Sequence, residues 1–127
     1  MNKYVFFALG LGATSFLLLS AKKPTLKQDG QGIAQYLISL GYSKANASGI
    51  AGNIYVESKY DPKAIGDNGQ SFGLAQWHKS RWIDLIDWSK SKNLNPNNFK
   101  TQLLFIDFEL KNRERKAQRE LLSTNTP

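Results

Sequence analysis

The 127-residue chain contains no cysteine, and this absence removes several classes of chemistry at once. Disulfides, thiol nucleophiles and zinc–thiolate sites all require cysteine side chains. Histidine is almost as scarce, because His78 is the only one in the chain. By itself, a single histidine makes neither a multi-histidine metal site nor a catalytic triad. A calcium loop would need more oxygen ligands at alternate positions than Asp61, Asp67 and Asn68 provide. We expect no metal and no cofactor, since the carboxyl chemistry described below requires neither.

Long hydrophobic runs are also rare, and the one that is present lies at the N-terminus. Residues 4–21 carry no charge, whereas Lys3 precedes them and two lysines follow. A helix of that length covers about 27 Å, close to the ~30 Å hydrocarbon core of a bilayer. We expect residues 1–21 to be an uncleaved membrane anchor, with a cleaved signal segment as the alternative, and residues 22–30 to be a linker.

Negative charge is the scarcer sign, with 10 Asp and Glu against 17 Lys and Arg, so the net charge is +7. A basic surface attracts polyanions, and composition does not choose among nucleic acid, anionic lipid and anionic wall polymers. The stretch 111–120 alternates in sign, which is typical of a solvated helix face rather than of a nucleic-acid patch.

Residues 31–122 predict one mainly helical domain with a polar excursion between its second and third helices. Apolar residues recur at helical spacing in four segments, which are 31–42, 43 to about 58, about 74–91, and 95 or 96 to about 122. Ser43 is a candidate N-cap, and Gly41 a plausible stop for the first helix. Residues 61–73 contain three glycines and an Asp-Asn-Gly run, which predicts turns or a short β-hairpin.

Glu57 is the candidate catalytic residue, at the end of the second predicted helix. The apolar stripe of Ala47, Ile50 and Ile54 continues by three positions to Glu57, which places the carboxyl group at the edge of the core. Partial burial favours the protonated form of a carboxyl group, and a general acid in glycoside cleavage needs that proton. If the helical frame is shifted by one position, Glu57 is an ordinary exposed side chain.

The polar excursion supplies a candidate second carboxylate, Asp67, which solvent exposure should keep ionised. In its Gly-Asp-Asn-Gly context Asp67 is by default a turn former, and the rival carboxylate, Asp61, is explained as a turn residue before Pro62. Ser71 matches the nucleophile elbow of serine hydrolases only loosely, since no strand is predicted before it. Trp77 is either a core residue or, beside the polar loop, a face on which a sugar stacks.

The segment GIAGNIYVESKYDPKAIGDNGQSFGLAQWHKSRW, residues 49–82, closely resembles the phage tail lysozyme domain. The family pattern A-G-x-x-x-x-E-S, then P-x-A-x-x-D-x-G-x-S-x-G-L-x-Q-W and an arginine, is met position by position. The stretch QLLFIDFEL at 102–110 is similar to a later helix of that family, Q-L-x-F-x-x-x-E-L.

The resemblance implies a mainly α, lysozyme-like α+β fold and an enzyme acting on bacterial peptidoglycan rather than on nucleic acid. It implies that Glu57 is the general acid for the β-1,4 bond between N-acetylmuramic acid and N-acetylglucosamine, with Asp67 in the opposite wall of the cleft. The substrate-binding residues that it implies are Ser58, Ser71, Gln76 and Trp77.

Two alternatives stay open at the level of sequence. The same core motifs occur in lytic transglycosylases of the soluble type, which cut the same bond with one glutamate and release an anhydro sugar. Their later Tyr-Asn-Ala-Gly motif is absent here, which favours hydrolysis. The alternative of another class is a non-catalytic wall-binding module.

The N-terminal run and the resemblance together predict where the enzyme acts. We expect it to be anchored in the internal membrane of a virion or in a bacterial envelope, and to be secreted if the segment is cleaved. Its expected role is phage entry or local opening of the wall.

Overall fold

The computed structural model describes residues 25–124, in which four helices enclose the core and a small antiparallel sheet follows the second helix. The helices are α1 (Gly30–Ser39), α2 (Lys44–Ser58), α3 (Lys79–Ser91) and α4 (Phe99–Thr124). The strands are β1 (Ile65–Gly66), β2 (Ser71–Phe72) and β3 (Trp77–His78), in the order β1-β2-β3. This architecture confirms the predicted mainly helical fold with a polar hairpin excursion.

The first two helices begin at side-chain caps that satisfy their free backbone N–H groups. Asp29 Oδ1 accepts from the Gly32 N–H at 2.8 Å, and Ser43 Oγ accepts from the Asn46 N–H at 3.1 Å. Between them Gly41 has φ +104°, a conformation that favours glycine, and there the chain leaves α1 and turns into α2. The predicted N-cap at Ser43 is confirmed.

The third and fourth helices begin later than their apolar patterns predict. Gln76 has φ +46°, which a helix does not tolerate, and the next two residues pair with β2 as β3, so α3 starts at Lys79 rather than at 74. Asn98 Oδ1 accepts from the Lys100 N–H at 2.9 Å and caps α4, which therefore starts at Phe99 rather than at 95 or 96.

The core lies between the helices, and Trp77 of β3 is its largest fully buried residue. Its ring packs edge-on against Phe105 of α4, with the ring centroids 5.8 Å apart. The other buried hydrophobic residues are Ile33, Leu37, Ala47, Ala51, Ile54, Leu74, Leu85, Phe99, Leu103 and Ile106.

A fully buried amide, that of Gln102, attaches the polar excursion to α4. Its Oε1 accepts from the Leu74 N–H at 2.9 Å, and its Nε2 donates to the carbonyls of Pro62 at 2.9 Å and Pro96 at 3.0 Å. A Cβ at Gly73 would lie 2.8 Å from Oε1, so the chain approaches the amide closely at that position. The side chain of Gln102 thus links two loops to helix α4.

A second, partly buried polar link joins the turn before α2 to α4. The Tyr42 hydroxyl donates to Asp107 Oδ1 at 2.8 Å, and Lys111 Nζ contacts Oδ2 of the same carboxylate at 2.9 Å. Burial, followed by the hydrogen bond to Asp107 and its charge, raises the pKa of Tyr42 well above its ordinary value.

The predicted anchor, residues 1–21, and the predicted linker up to residue 24 lie outside the described residues. Within residues 25–124, no helix has both the length and the apolar character needed to cross a membrane.

We expect Tyr42→Phe to lower the free energy of unfolding by about 1 kcal/mol at pH 7, since one hydrogen bond is lost. Above about pH 10 the unfolded chain releases the phenol proton while folded Tyr42 retains it, so this residue's contribution falls as pH rises. The difference in the free energy of unfolding between wild type and variant should therefore become smaller from pH 8 to pH 11, as measured by urea unfolding. The matched control is Tyr55→Phe at an exposed ring, and a gap that stays constant or widens would contradict the account.

Candidate active site

Glu57 lies in the last turn of α2 and is exposed, next to the buried stripe rather than on it. The buried residues of this helix are Ala47, Ala51, Ile54 and Ser58, so the stripe continues from Ile54 by four positions instead of three. The predicted partial burial of Glu57 is therefore wrong, because the helical frame is shifted by one residue. The carboxyl group faces solvent.

Ser58 occupies the position that the sequence assigned to the glutamate. Its side chain is buried, and its hydroxyl donates to the carbonyl of Ile54 at 3.1 Å. Ser58 thus satisfies a backbone carbonyl of the last turn of α2 on the buried side of the helix, and its hydroxyl is not presented at the surface.

The backbone turns sharply after Ser58 through two consecutive non-glycine residues with positive φ. Lys59 has φ 50° and Tyr60 has φ 67°, and the Lys59 N–H donates to the Tyr55 carbonyl at 2.9 Å. Such conformations are uncommon for side-chain-bearing residues and persist where the surroundings hold them. The turn ends α2 directly after Glu57 and Ser58 and leads the chain into the polar excursion.

Glu57 lines a depression of about 180 Å³ that is formed by α2, α4, Ala75 and Arg81. Its polar side chains are Asn53, Glu57, Arg81, Glu109 and Arg113. Its apolar side chains are Ile50, Ile54, Ala75, Ile106 and Leu110. The structure thus places an exposed carboxylate over an apolar floor, which is a typical composition for a small-ligand site.

A second carboxylate of the depression, Glu109, is fully engaged by neighbouring donors. Arg81 Nη2 donates to both of its oxygens, at 2.7 Å and 2.8 Å, and Arg81 Nε donates to Oε1 at 3.0 Å. Trp77 Nε1 donates to Oε2 at 3.0 Å. This charge-assisted cluster ties β3 and α3 to α4 and neutralises Glu109 beside the site.

Trp77 lies behind this cluster and has no exposed surface. Its ring is packed in the core and its N–H is used by Glu109, so it presents no face on which a sugar stacks. The interpretation of Trp77 as a core residue that supports the site agrees with this placement, and the sugar-stacking interpretation does not.

Asp67 and Ser71 hold the hairpin together. Asp67 has φ 50° and its Oδ2 accepts from the buried Ser71 hydroxyl at 2.7 Å. Asp67 itself is exposed, and it is not among the described residues that line the depression of Glu57. These contacts favour a loop-forming role for Asp67, and its role as a second catalytic group stays a prediction.

Gln76 joins the two ends of the excursion. Its Nε2 donates to the carbonyls of Gly73 at 3.0 Å and Ala64 at 3.3 Å. A Cβ at Gly66 would overlap Gln76 Oε1, so the side chain lies directly over β1. Gln76 therefore shapes the loop beside the site through the backbone that it binds.

Sequence reasoning assigned no role to Glu109, Arg113 or Gln102. Glu109 and Gln102 both stand in the stretch QLLFIDFEL, whose similarity to the family helix was a usable signal. The partners of Glu109 lie 28 and 32 residues earlier in the chain, and no local pattern reveals contacts over such separations.

The fold and the depression define a small helical domain with a carboxylate-bearing groove at the end of its second helix. A model of the phage tail lysozyme family matches residues 29–127, which include every helix and strand described above. The chain belongs to the phage tail lysozyme family. Membership indicates a lysozyme-like enzyme that acts on peptidoglycan.

We expect Glu109→Gln to lower the free energy of unfolding by about 1–2 kcal/mol, because Arg81 loses a charged partner while remaining partly hydrated. A double-mutant cycle with Arg81→Gln in urea unfolding should give a coupling of similar size. Glu120→Gln, at an exposed position of the same helix, is the control. Additive effects of the two substitutions would mean that the cluster does not hold α3 to α4.

Proposed function

We propose that this protein is a muramidase that cleaves the β-1,4 bond between N-acetylmuramic acid and N-acetylglucosamine, with Glu57 as the general acid. The supporting observation is that Glu57 stands exposed in a depression with an apolar floor, in the Glu-Ser position of the family pattern. A carboxylic acid at such a position protonates the departing glycosidic oxygen as the oxocarbenium-like transition state develops.

The availability of Glu57 to the substrate supports this role. Within residues 25–124, no side chain donates a hydrogen bond to Glu57, and Arg81 is engaged by Glu109. Both oxygens of Glu57 are therefore free to contact a sugar. A glycan bound over the apolar floor would exclude water from the carboxyl group, and desolvation favours the protonated form of a carboxylic acid. The substrate, rather than the protein core, would supply the apolar surroundings.

Lytic transglycosylation is the second candidate, and one observation favours it. Among the described residues that line the depression the carboxylates are Glu57 and Glu109, and Glu109 is neutralised by Arg81 and Trp77. One free carboxylate fits a mechanism in which a single glutamate acts first as acid and then as base, while a hydroxyl of the sugar attacks its own anomeric carbon. In hydrolysis, water takes the place of that hydroxyl.

We further propose that the uncharged N-terminal run attaches the enzyme to a membrane, in a virion or in a bacterial envelope. A wall-cutting domain held there would open peptidoglycan locally, for instance during genome entry. If the segment is a cleaved signal instead, the domain is secreted. The support for this step is the sequence of residues 4–21.

Glu57→Gln should reduce the rate of peptidoglycan cleavage by about 100-fold or more, which is the usual contribution of a general acid. The rate is measured as the release of soluble muropeptides from purified peptidoglycan, with Glu120→Gln as a charge-matched control expected to retain activity. Mass analysis of the wild-type products separates the two mechanisms, since reducing ends indicate hydrolysis and 1,6-anhydro ends indicate transglycosylation. Binding of wild-type protein to peptidoglycan without turnover would instead support a wall-binding module.

Asp67→Asn separates the two roles of Asp67. Asparagine tolerates positive φ and its side-chain oxygen still accepts from Ser71, so a loop-forming role predicts that at least about a third of the activity remains. A loss comparable to that of Glu57→Gln, in a variant whose urea unfolding midpoint is unchanged, would identify Asp67 as a second catalytic group.

A further inference from the structure

Arg113 is a charged residue of the depression that the proposed chemistry does not use. It lies on α4 and lines the same depression as Glu57 and Glu109. Within residues 25–124, no carboxylate lies within 4.0 Å of its guanidinium, since the ion pairs found there are Arg81–Glu109 and Asp107–Lys111. The guanidinium of Arg113 is thus uncommitted, unlike that of Arg81.

The position of Arg113 follows from helix geometry. It comes four residues after Glu109, so the two side chains share a face of α4 and Arg113 lies about 6 Å further along the axis. Glu57 projects from a different helix, α2, and makes no ion pair with Arg113. A ligand that fills the depression therefore meets a free carboxyl group and a free guanidinium at separate points.

The two free groups suit different parts of one ligand. The glycan backbone offers uncharged oxygens, which Glu57 contacts in the proposed reaction. A guanidinium is planar and presents paired N–H donors that match a carboxylate, and an arginine with no protein partner is ready to bind one. Where peptides are attached to the glycan, the lactyl carboxyl groups of N-acetylmuramic acid are used in amide bonds, and the free carboxylates belong to the peptides.

We propose that Arg113 is a specificity-determining residue that binds a carboxylate of the peptide attached to the glycan strand. This inference rests on the proposed function, because it assumes that the glycan occupies the depression of Glu57. It makes the enzyme selective for anionic, peptide-bearing glycan over neutral polymers of N-acetylglucosamine.

Two other roles for Arg113 give different results. If its charge acts on Glu57, then Arg113→Gln changes the pH profile of kcat on every substrate. If it merely adds to the basic surface of the exposed stretch 111–124, then removing any cation there has the same effect. Arg119→Gln is the matched control, since it removes the same charge from the same helix about 9 Å further along the axis and outside the depression.

The test compares full-length wild type, Arg113→Gln and Arg119→Gln on three soluble probes. These are glycan-peptide fragments with free peptide carboxylates, the same fragments after amidation of those carboxylates, and neutral N-acetylglucosamine oligomers. We expect Arg113→Gln to raise KM for the first probe about tenfold, the size of one charge-assisted hydrogen bond at a partly exposed site, with kcat and its pH profile unchanged. On the other two probes we expect Arg113→Gln to change KM by less than about twofold. We expect the same small change in KM for Arg119→Gln on all three probes.

Three results would overturn the inference. They are equal KM values for the two variants on the first probe, an equal loss on the amidated and free fragments, and a displaced pH profile for Arg113→Gln. Failure of the proposed function looks different, because it shows as no turnover by the wild type or as full activity of Glu57→Gln. In that case the dissociation constants of the same fragments are measured by calorimetry for wild type and both variants. The changes expected above for KM then apply to the dissociation constants, and they decide the role of Arg113.

Discussion

The geometry of the site depends on the buried amide of Gln102. One side chain binds backbone groups before the hairpin, after it and in the turn that precedes α4, so all three segments are held to one helix. Buried backbone groups that lose their partners are costly, and a network in which every member is satisfied defines a unique arrangement. Since α4 also carries Glu109 and Arg113, the amide, through Leu74, sets where the neighbouring Ala75 stands relative to the rest of the depression.

Most of the polar residues that match the family pattern make hydrogen bonds within the protein rather than leaving their polar groups free. Gln76 binds the two ends of the excursion, Ser71 binds Asp67, and Trp77 binds Glu109. Each of these bonds uses a donor that the sequence had assigned to the substrate. The carboxyl group of Glu57, by contrast, receives no hydrogen bond among the described residues, and its availability in the depression supports the catalytic role that we propose for it.

The sequence predicted the helical class and the hairpin because both depend on local signals, such as the cap at Ser43 and the Asp-Asn-Gly turn. The prediction that Glu57 is partly buried was wrong because a 3.6-residue period allows the buried stripe to continue from Ile54 by either three or four residues. Ser58, which is small and polar, does not have the character of a buried residue. The start of α3 was misplaced because strands of two residues show no alternation, so the apolar Trp77 resembled a helix position. The pairing of Glu109 with Arg81 depends on tertiary contact, which no local spacing records.

The proposed mechanism requires that a glycan lies in the depression with its scissile link at Glu57. The most direct test is a crystal structure of the full-length Glu57→Gln variant with a peptide-bearing tetrasaccharide. We expect a sugar over Ile50, Ile54 and Ala75, with a glycosidic oxygen about 2.6–3.2 Å from the side chain at position 57. A glycan bound instead across the stacked rings of Phe72 and Trp82, away from position 57, would contradict it.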